Sequence, residues 1–161
     1  MSYRILVVED STQHLADAAR IGREMGLEII EAKTVRIGET EIATDFKPAD
    51  FVPVDGVVTD IYMVFAAMPE DQSEHQAGGL VVAAAALKYK IPFVLCTAGN
   101  HHGAKYQWIS SMCSNLGWRV IEGWGSDRGA RHHRDYESPE KNWAEAFNAL
   151  LRKIEEKRRD S

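Results

Sequence analysis

Long hydrophobic runs are missing from this sequence. No apolar stretch approaches the roughly 20 residues that a bilayer-crossing helix needs, so no membrane partner is expected. The apolar run after Arg4 is short and ends at Glu9-Asp10, so no secretory signal is expected and a cytoplasmic location is the expectation. An excess of positive charge is missing too. The 19 Lys and Arg stand against 24 Asp and Glu, a net charge of −5, and a protein that neutralises phosphates broadly needs the opposite balance, so no nucleic-acid partner is expected. The basic residues near the end, Arg152, Lys153, Lys157, Arg158 and Arg159, alternate with Glu155 and Glu156 and read as a solvated helix face. Cysteine is scarce. Cys96 and Cys113 lack C-x-x-C spacing and are expected to be reduced, one in a core strand and one on a helix. Repeats and low-complexity segments are absent. The rest is ordinary: 161 residues, 45% hydrophobic and 27% charged, suit one domain over 1–161 with its own core.

Within that frame, strand and helix signals alternate. Ser2 to Val8 reads as a strand. Ser11 or Thr12 then caps a helix whose stripe is Leu15, Ala18, Ala19, Gly22 and Met25, and Gly26 ends it. A second strand lies in Leu27 to Ala32, followed by a weaker helix from about Thr34 to Phe46, with Val35, Ile42 and Phe46 inward and Lys47-Pro48 as its stop. Val57 to Thr59 forms a third strand, after which 64–78 reads as a long surface loop, of the kind that tends to be functional. Leu80 to Lys90 is an Ala-rich helix, Ile91 to Ala98 a fourth strand, and a helix carrying Ile109, Met112, Cys113 and Leu116 closes at Gly117. Trp118 to Trp124 is the fifth strand and 125–137 a polar loop. The last helix is predicted with Ser138 as N-cap and Pro139 as its first residue, and with Trp143, Phe147, Leu150, Leu151 and Ile154 on one face. Five strand-helix repeats predict an α/β protein, a parallel sheet with helices on both faces, and no output domain is expected after the final helix.

In such a sheet ligands collect at the carboxyl ends of the strands. Three strands end on chemistry there: Ile5-Leu6-Val7-Val8 delivers Glu9 and Asp10, Val57-Val58-Thr59 delivers Asp60, and Phe93-Val94-Leu95-Cys96 delivers Thr97. Three carboxylates and a hydroxyl at one edge suit a hard divalent cation and a phosphoryl group. Taken alone, Asp60 would simply cap the next turn and Glu9-Asp10 would cap a helix. The pairs His101-His102 and His132-His133 suggest a zinc site, but neighbouring histidines on a loop diverge and no Cys-x-x-Cys or His-x-x-x-His supports one. Trp118, Trp124 and Trp143 are expected in the core.

These segments resemble the response-regulator receiver domain of two-component signalling. The signatures are Ile5-Leu6-Val7-Val8-Glu9-Asp10-Ser11, Val57-Val58-Thr59-Asp60-Ile61-Tyr62-Met63 and Phe93-Val94-Leu95-Cys96-Thr97-Ala98, in that order along the chain, with Gly78-Gly79-Leu80 near the start of the third helix. The resemblance implies a flavodoxin-like (βα)5 doubly wound, five-stranded parallel sheet in a three-layer sandwich. It implies that Asp60 accepts a phosphoryl group and that Mg²⁺ is held by Glu9 (through water), Asp10, Asp60 and the Tyr62 backbone carbonyl. Thr97 would hydrogen-bond a phosphoryl oxygen and pass on the change. The implied partners are a sensor histidine kinase or phosphotransfer protein and a downstream target protein, with a homodimer possible; Trp108 lies on the helix that receivers use for docking. Catalysis beyond Mg²⁺-dependent autophosphorylation and autodephosphorylation is not expected.

Two departures stand out. The family's Lys-Pro after the fifth strand falls near Trp124-Gly125, and no lysine lies between Lys105 and Lys141, so Arg128 or Arg131 is the expected substitute. The family's Met-Pro is displaced to Met68-Pro69 by the inserted loop. Two other functions compete: a pseudo-receiver that binds partners without phosphorylation, and a small Mg²⁺-dependent phosphatase. The second lacks its usual Asp-x-Asp, because position 62 is Tyr.

Overall fold

The apolar runs Ile5–Val8, Val57–Val58 and Phe93–Cys96 have no polar alternation, the pattern of strands covered on both faces. The computed structural model, which describes residues 2–43, 52–63, 77–98, 107–123 and 141–160, pairs them side by side. Its strands are β1 (Arg4–Val8), β2 (Glu28–Ala32), β3 (Gly56–Thr59), β4 (Phe93–Thr97) and β5 (Val120–Glu122), alternating with α1 (Thr12–Glu24), α2 (Val35–Ile42), α3 (Gly78–Lys88), α4 (Gln107–Asn115) and α5 (Trp143–Arg159). The order is β2-β1-β3-β4-β5, every pairing is parallel, and Val8 stands opposite Thr59 while Thr97 stands opposite Glu122. This is the flavodoxin-like (βα)5 arrangement. The chain turns from β1 outward in both directions, so the ends of β1 and β3 meet at a topological switch point.

Strand periodicity of two sorts the core into two layers. Leu6, Val8, Val57 and Leu95 face α2, α3 and α4, meeting Val35, Ile42, Val82, Ala86, Ile109 and Cys113. Ile5, Val7, Val58, Val94 and Cys96 face α1 and α5, meeting Leu15, Ala18, Trp143, Phe147 and Leu150. Trp143 stacks on Phe147 with ring centroids 6.2 Å apart. Each such large side chain contributes about 1.5–3 kcal/mol on burial. Trp118 is half-buried, edge-on to Phe93 at 5.2 Å. Both cysteines are buried and free. Gly26 (φ 76°) and Gly117 (φ 66°) follow α1 and α4 in the left-handed region, as their placement after the helical stripes predicts. No described helix is long and apolar enough to cross a membrane.

Several boundaries differ from the sequence reading. The cap of the first helix does not: Ser11, one of the two residues predicted for it, accepts the His14 N–H through its side chain. α2 stops at Ile42 because Ala43 is already extended (ψ 121°), ahead of Thr44 and Asp45, both weak helix formers; Phe46 and Lys47-Pro48 lie outside the described residues. α3 begins at Gly78, inside the stretch read as loop, with Ala77 bridging to Met63. The largest shift is at α5. Its N-cap is Asn142, which accepts the Glu145 N–H, and its first residue is Trp143. Ser138 and Pro139 lie outside the described residues, and Lys141 precedes the helix.

Candidate functional site

Parallel pairing brings the predicted acidic residues together. Glu9 follows β1 and is 1% exposed, Asp60 follows β3 at 8%, and Thr97 ends β4 at 2%; Asp10 is half-buried beside them. The backbone fixes their places: Glu9 N–H donates to the Ala32 carbonyl and Asp60 N–H to the Val8 carbonyl, each at 2.9 Å. Among the described residues, the one group of metal-ligating side chains close enough to share an ion is Glu9, Asp10 and Asp60, with ligand atoms within 4.8 Å of one another.

Buried carboxylates need a counter-charge. It comes from Lys141. The Lys141 ammonium donates to Glu9 Oε2 and to Asp60 Oδ2, the latter at 3.0 Å, and sits 5.6 Å over the Trp143 ring. The cap at Asn142 explains the geometry: by starting α5 at Trp143, it leaves Lys141 off the helix surface and directed into the pocket. Asp60 Oδ1 accepts the Ile61 N–H at 2.7 Å. Glu9 Oε1 accepts the Ser11 N–H at 3.0 Å and has His14 Nδ1 at 3.8 Å.

The two buried acids titrate differently. Burial pushes the Asp60 carboxyl up to about 6; the Lys141 ammonium opposes that rise and Glu9 adds to it. Burial also acts against the Glu9 carboxylate, but His14, Lys141 and the Ser11 N–H outweigh it and hold Glu9 below the usual range. Lys141 loses hydration on burial, yet Asp60 and Glu9 together raise its pKa. A glycine makes the pocket possible. A Cβ on Gly79 would stand 1.6 Å from the Asp60 carbonyl oxygen, so only glycine lets the first turn of α3 pack on this loop, where Gly79 N–H donates to the Ile61 carbonyl at 3.0 Å.

No protein-family model matches the sequence, and no curated protein matches it. Solved structures do. A CheY-like response regulator receiver domain from Methanospirillum hungatei is similar over 100% of both chains, with a TM-score of 0.62 and 18% identity. A response regulator receiver protein from Sinorhizobium medicae is similar over 96% of this chain and 95% of that one, with a TM-score of 0.59 and 18% identity. A signal receiver domain from Vibrio parahaemolyticus gives 0.58 at 15% identity, over 99% and 95% of the two chains. The chain has the receiver fold.

On this receiver fold, Glu9, Asp10, Asp60 and Thr97 are at one sheet edge, as their strand-end positions predict. Tyr62 lies two residues past Asp60 in the same turn, half-buried. Arg128, Arg131 and the four loop histidines His101, His102, His132 and His133 lie outside the described residues. Among the described residues the cation at Asp60 is Lys141, which the sequence reading used only to mark the end of a lysine-free stretch. His14, buried beside Glu9, was also missed. A cap signal was present for Lys141: Asn142-x-x-Glu145 directly before Trp143 competes with Ser138-Pro139 as the helix start.

Proposed function

We propose that the chain is a receiver that accepts a phosphoryl group on Asp60 and signals through a protein partner. The observation that carries this reading is the Lys141 ammonium bridging Glu9 and Asp60 at the ends of β1 and β3. It supplies, from the foot of α5, the lysine that the sequence lacks directly after the fifth strand. An Asp60 oxygen attacks phosphorus, forming a P–O bond as the donor's P–N bond breaks (or the P–O bond of acetyl phosphate), and the leaving group departs with its electron pair. Lys141 stays close enough to neutralise the transferred phosphoryl oxygens, and the Thr97 hydroxyl, buried without a hydrogen-bond partner among the described residues, supplies a donor.

Mg²⁺ fits the donor set. The ligands are all carboxylate oxygens, and three carboxylates against one ammonium leave two negative charges in excess. Asp60 spends one contact per oxygen on Ile61 and Lys141, and a carboxylate offers about four acceptor positions. Asp10, Asp60 and the Tyr62 carbonyl would hold the ion and Glu9 would act through water; the ion supplies charge neutralisation for an anion attacking an anion. The donor would be a sensor histidine kinase or phosphotransfer protein. The second reading is a pseudo-receiver that binds partners only, in which Lys141 stays locked between Glu9 and Asp60 and no phosphoryl group enters.

Intact mass after incubation with acetyl phosphate, with and without Mg²⁺, tests the proposal on wild type and Asp60→Asn. The expected result is a Mg²⁺-dependent phosphoryl adduct that the variant lacks. An unmodified wild type that nevertheless binds Mg²⁺ would establish the pseudo-receiver instead.

A further inference from the structure

Between α4 and β5 lies a cavity of about 210 Å³. Its position follows from strand periodicity: Leu95 and Thr97 of β4, and Val120 and Glu122 of β5, point to the α4 side of the sheet. Ile61, Ile109, Val120 and Trp118 give it apolar walls, while Thr97 lines it from within and Ser114 and Glu122 stand exposed at its mouth. Thr97 is 2% exposed, and its Oγ1 has no hydrogen-bond partner among the described residues. A buried hydroxyl left unpaired costs about 1–3 kcal/mol, so a ligand that pairs it gains that much selectivity. An apolar cavity of about 150 Å³ already holds benzene.

We propose that this cavity binds a one-ring aromatic molecule carrying a single hydrogen-bonding group, which packs against Trp118 and Ile109 and pairs with the Thr97 hydroxyl. Occupancy also opposes phosphorylation of Asp60, a coupling that rests on the receiver reading above. Two groups join the sites: a ligand oxygen that accepts the Thr97 proton takes it from a phosphoryl oxygen, and Ile61, a wall of the cavity, donates the N–H that orients Asp60 Oδ1. Coupling of this kind is reciprocal, so a phosphorylated chain binds the ligand more weakly.

Phenol is the probe and toluene the comparator, titrated into the full chain and followed by amide and indole NMR shifts. Saturable shifts at Thr97, Ile109 and Trp118 are expected, with a dissociation constant on the order of millimolar for so small a ligand. Phenol should bind about fivefold more tightly than toluene, and Thr97→Val should erase that preference. Ser114→Phe, at an exposed position on α4, should fill the mouth and abolish the shifts. No saturable shift, or one that Ser114→Phe leaves intact, overturns the site. Equal binding of phenol and toluene to wild type overturns the role of Thr97. Adduct formation from acetyl phosphate should slow severalfold at saturating phenol; an unchanged rate overturns the coupling alone. No adduct even without phenol overturns the receiver reading and the coupling with it, while the titration still decides the site.

Discussion

Replacing Lys141 by Met keeps the length of the stem and removes the charge that two buried carboxylates share. The side chains of Lys141 and Glu9 are each 1% exposed, and that of Asp60 is 11% exposed, so solvent cannot take over. Breaking a buried ion pair by deleting one partner costs about 3–5 kcal/mol, because the other charge is left uncompensated. Asp60 can escape part of this by taking a proton. Its folded pKa is already about 6 with Lys141 present, above the unfolded value, and losing the ammonium raises it further. A raised carboxyl pKa means that the folded state holds the extra proton, so the stability it lends is present at low pH and fades as pH rises through the folded pKa. The deficit of Lys141→Met relative to wild type should therefore widen from pH 6 to pH 8 by up to about 1.4 kcal/mol per unit. We expect about 3–5 kcal/mol at pH 8, falling to about 1–2 kcal/mol near pH 6, where Asp60 is half-protonated in wild type and the variant misses the Glu9 pairing and only part of the Asp60 pairing. Urea unfolding followed by tryptophan fluorescence at pH 6, 7 and 8 measures it. A loss below about 1 kcal/mol at every pH would refute the reasoning, since an exposed lysine costs no more than that.

Three further outcomes follow from the same geometry. The initial rate of Asp60 modification by acetyl phosphate, read by intact mass at low Mg²⁺, should climb as pH rises through about 6, because the ionised carboxylate is the nucleophile; a flat profile from pH 5 to 8 would count against it. Gly79→Ala drives a Cβ into the Asp60 carbonyl at 1.6 Å and should cost about 3 kcal/mol or more, whereas Gly78→Ala meets a side-chain atom, Val35 Cγ2, at 2.5 Å and backbone, the Met63 carbonyl oxygen, only at 3.1 Å, and should cost less. Their urea midpoints rank the two, and the reverse order would be wrong for this packing. Lys90, a non-glycine residue at φ 56° after α3, should become more stable by about 1 kcal/mol as Lys90→Gly, read as a higher urea midpoint.

Much of the site was legible because strand ends are legible. An unbroken apolar run followed at once by Glu9-Asp10, Asp60 or Thr97 places each residue at the edge of a parallel sheet, whichever strands are neighbours. The α1 stripe and its Gly26 stop were equally local signals. Lys141 was not legible in the same way. It makes its pair with a residue 132 positions away, and the local pattern offered two helix starts, Ser138-Pro139 and Asn142, of which the first has the stronger N-terminal signature. Burial of Lys141 against Glu9 and Asp60 settles the choice, because a lysine on the helix surface could not reach them. Gly78 shows the same limit: read as the end of a loop, it opens α3, and Gly79 beside it is required by a close approach that no local pattern encodes.

By itself the sequence determined the α/β class, the identity of the residues at the strand ends and the absence of a membrane-crossing run, since each depends on neighbours within a few positions of the chain. Tertiary structure alone decided the β2-β1-β3-β4-β5 order, the cation that closes the acidic pocket, the elevated pKa of Asp60 and the cavity beside Thr97. Those four depend on distances between residues far apart in the chain, and burial sets their energies.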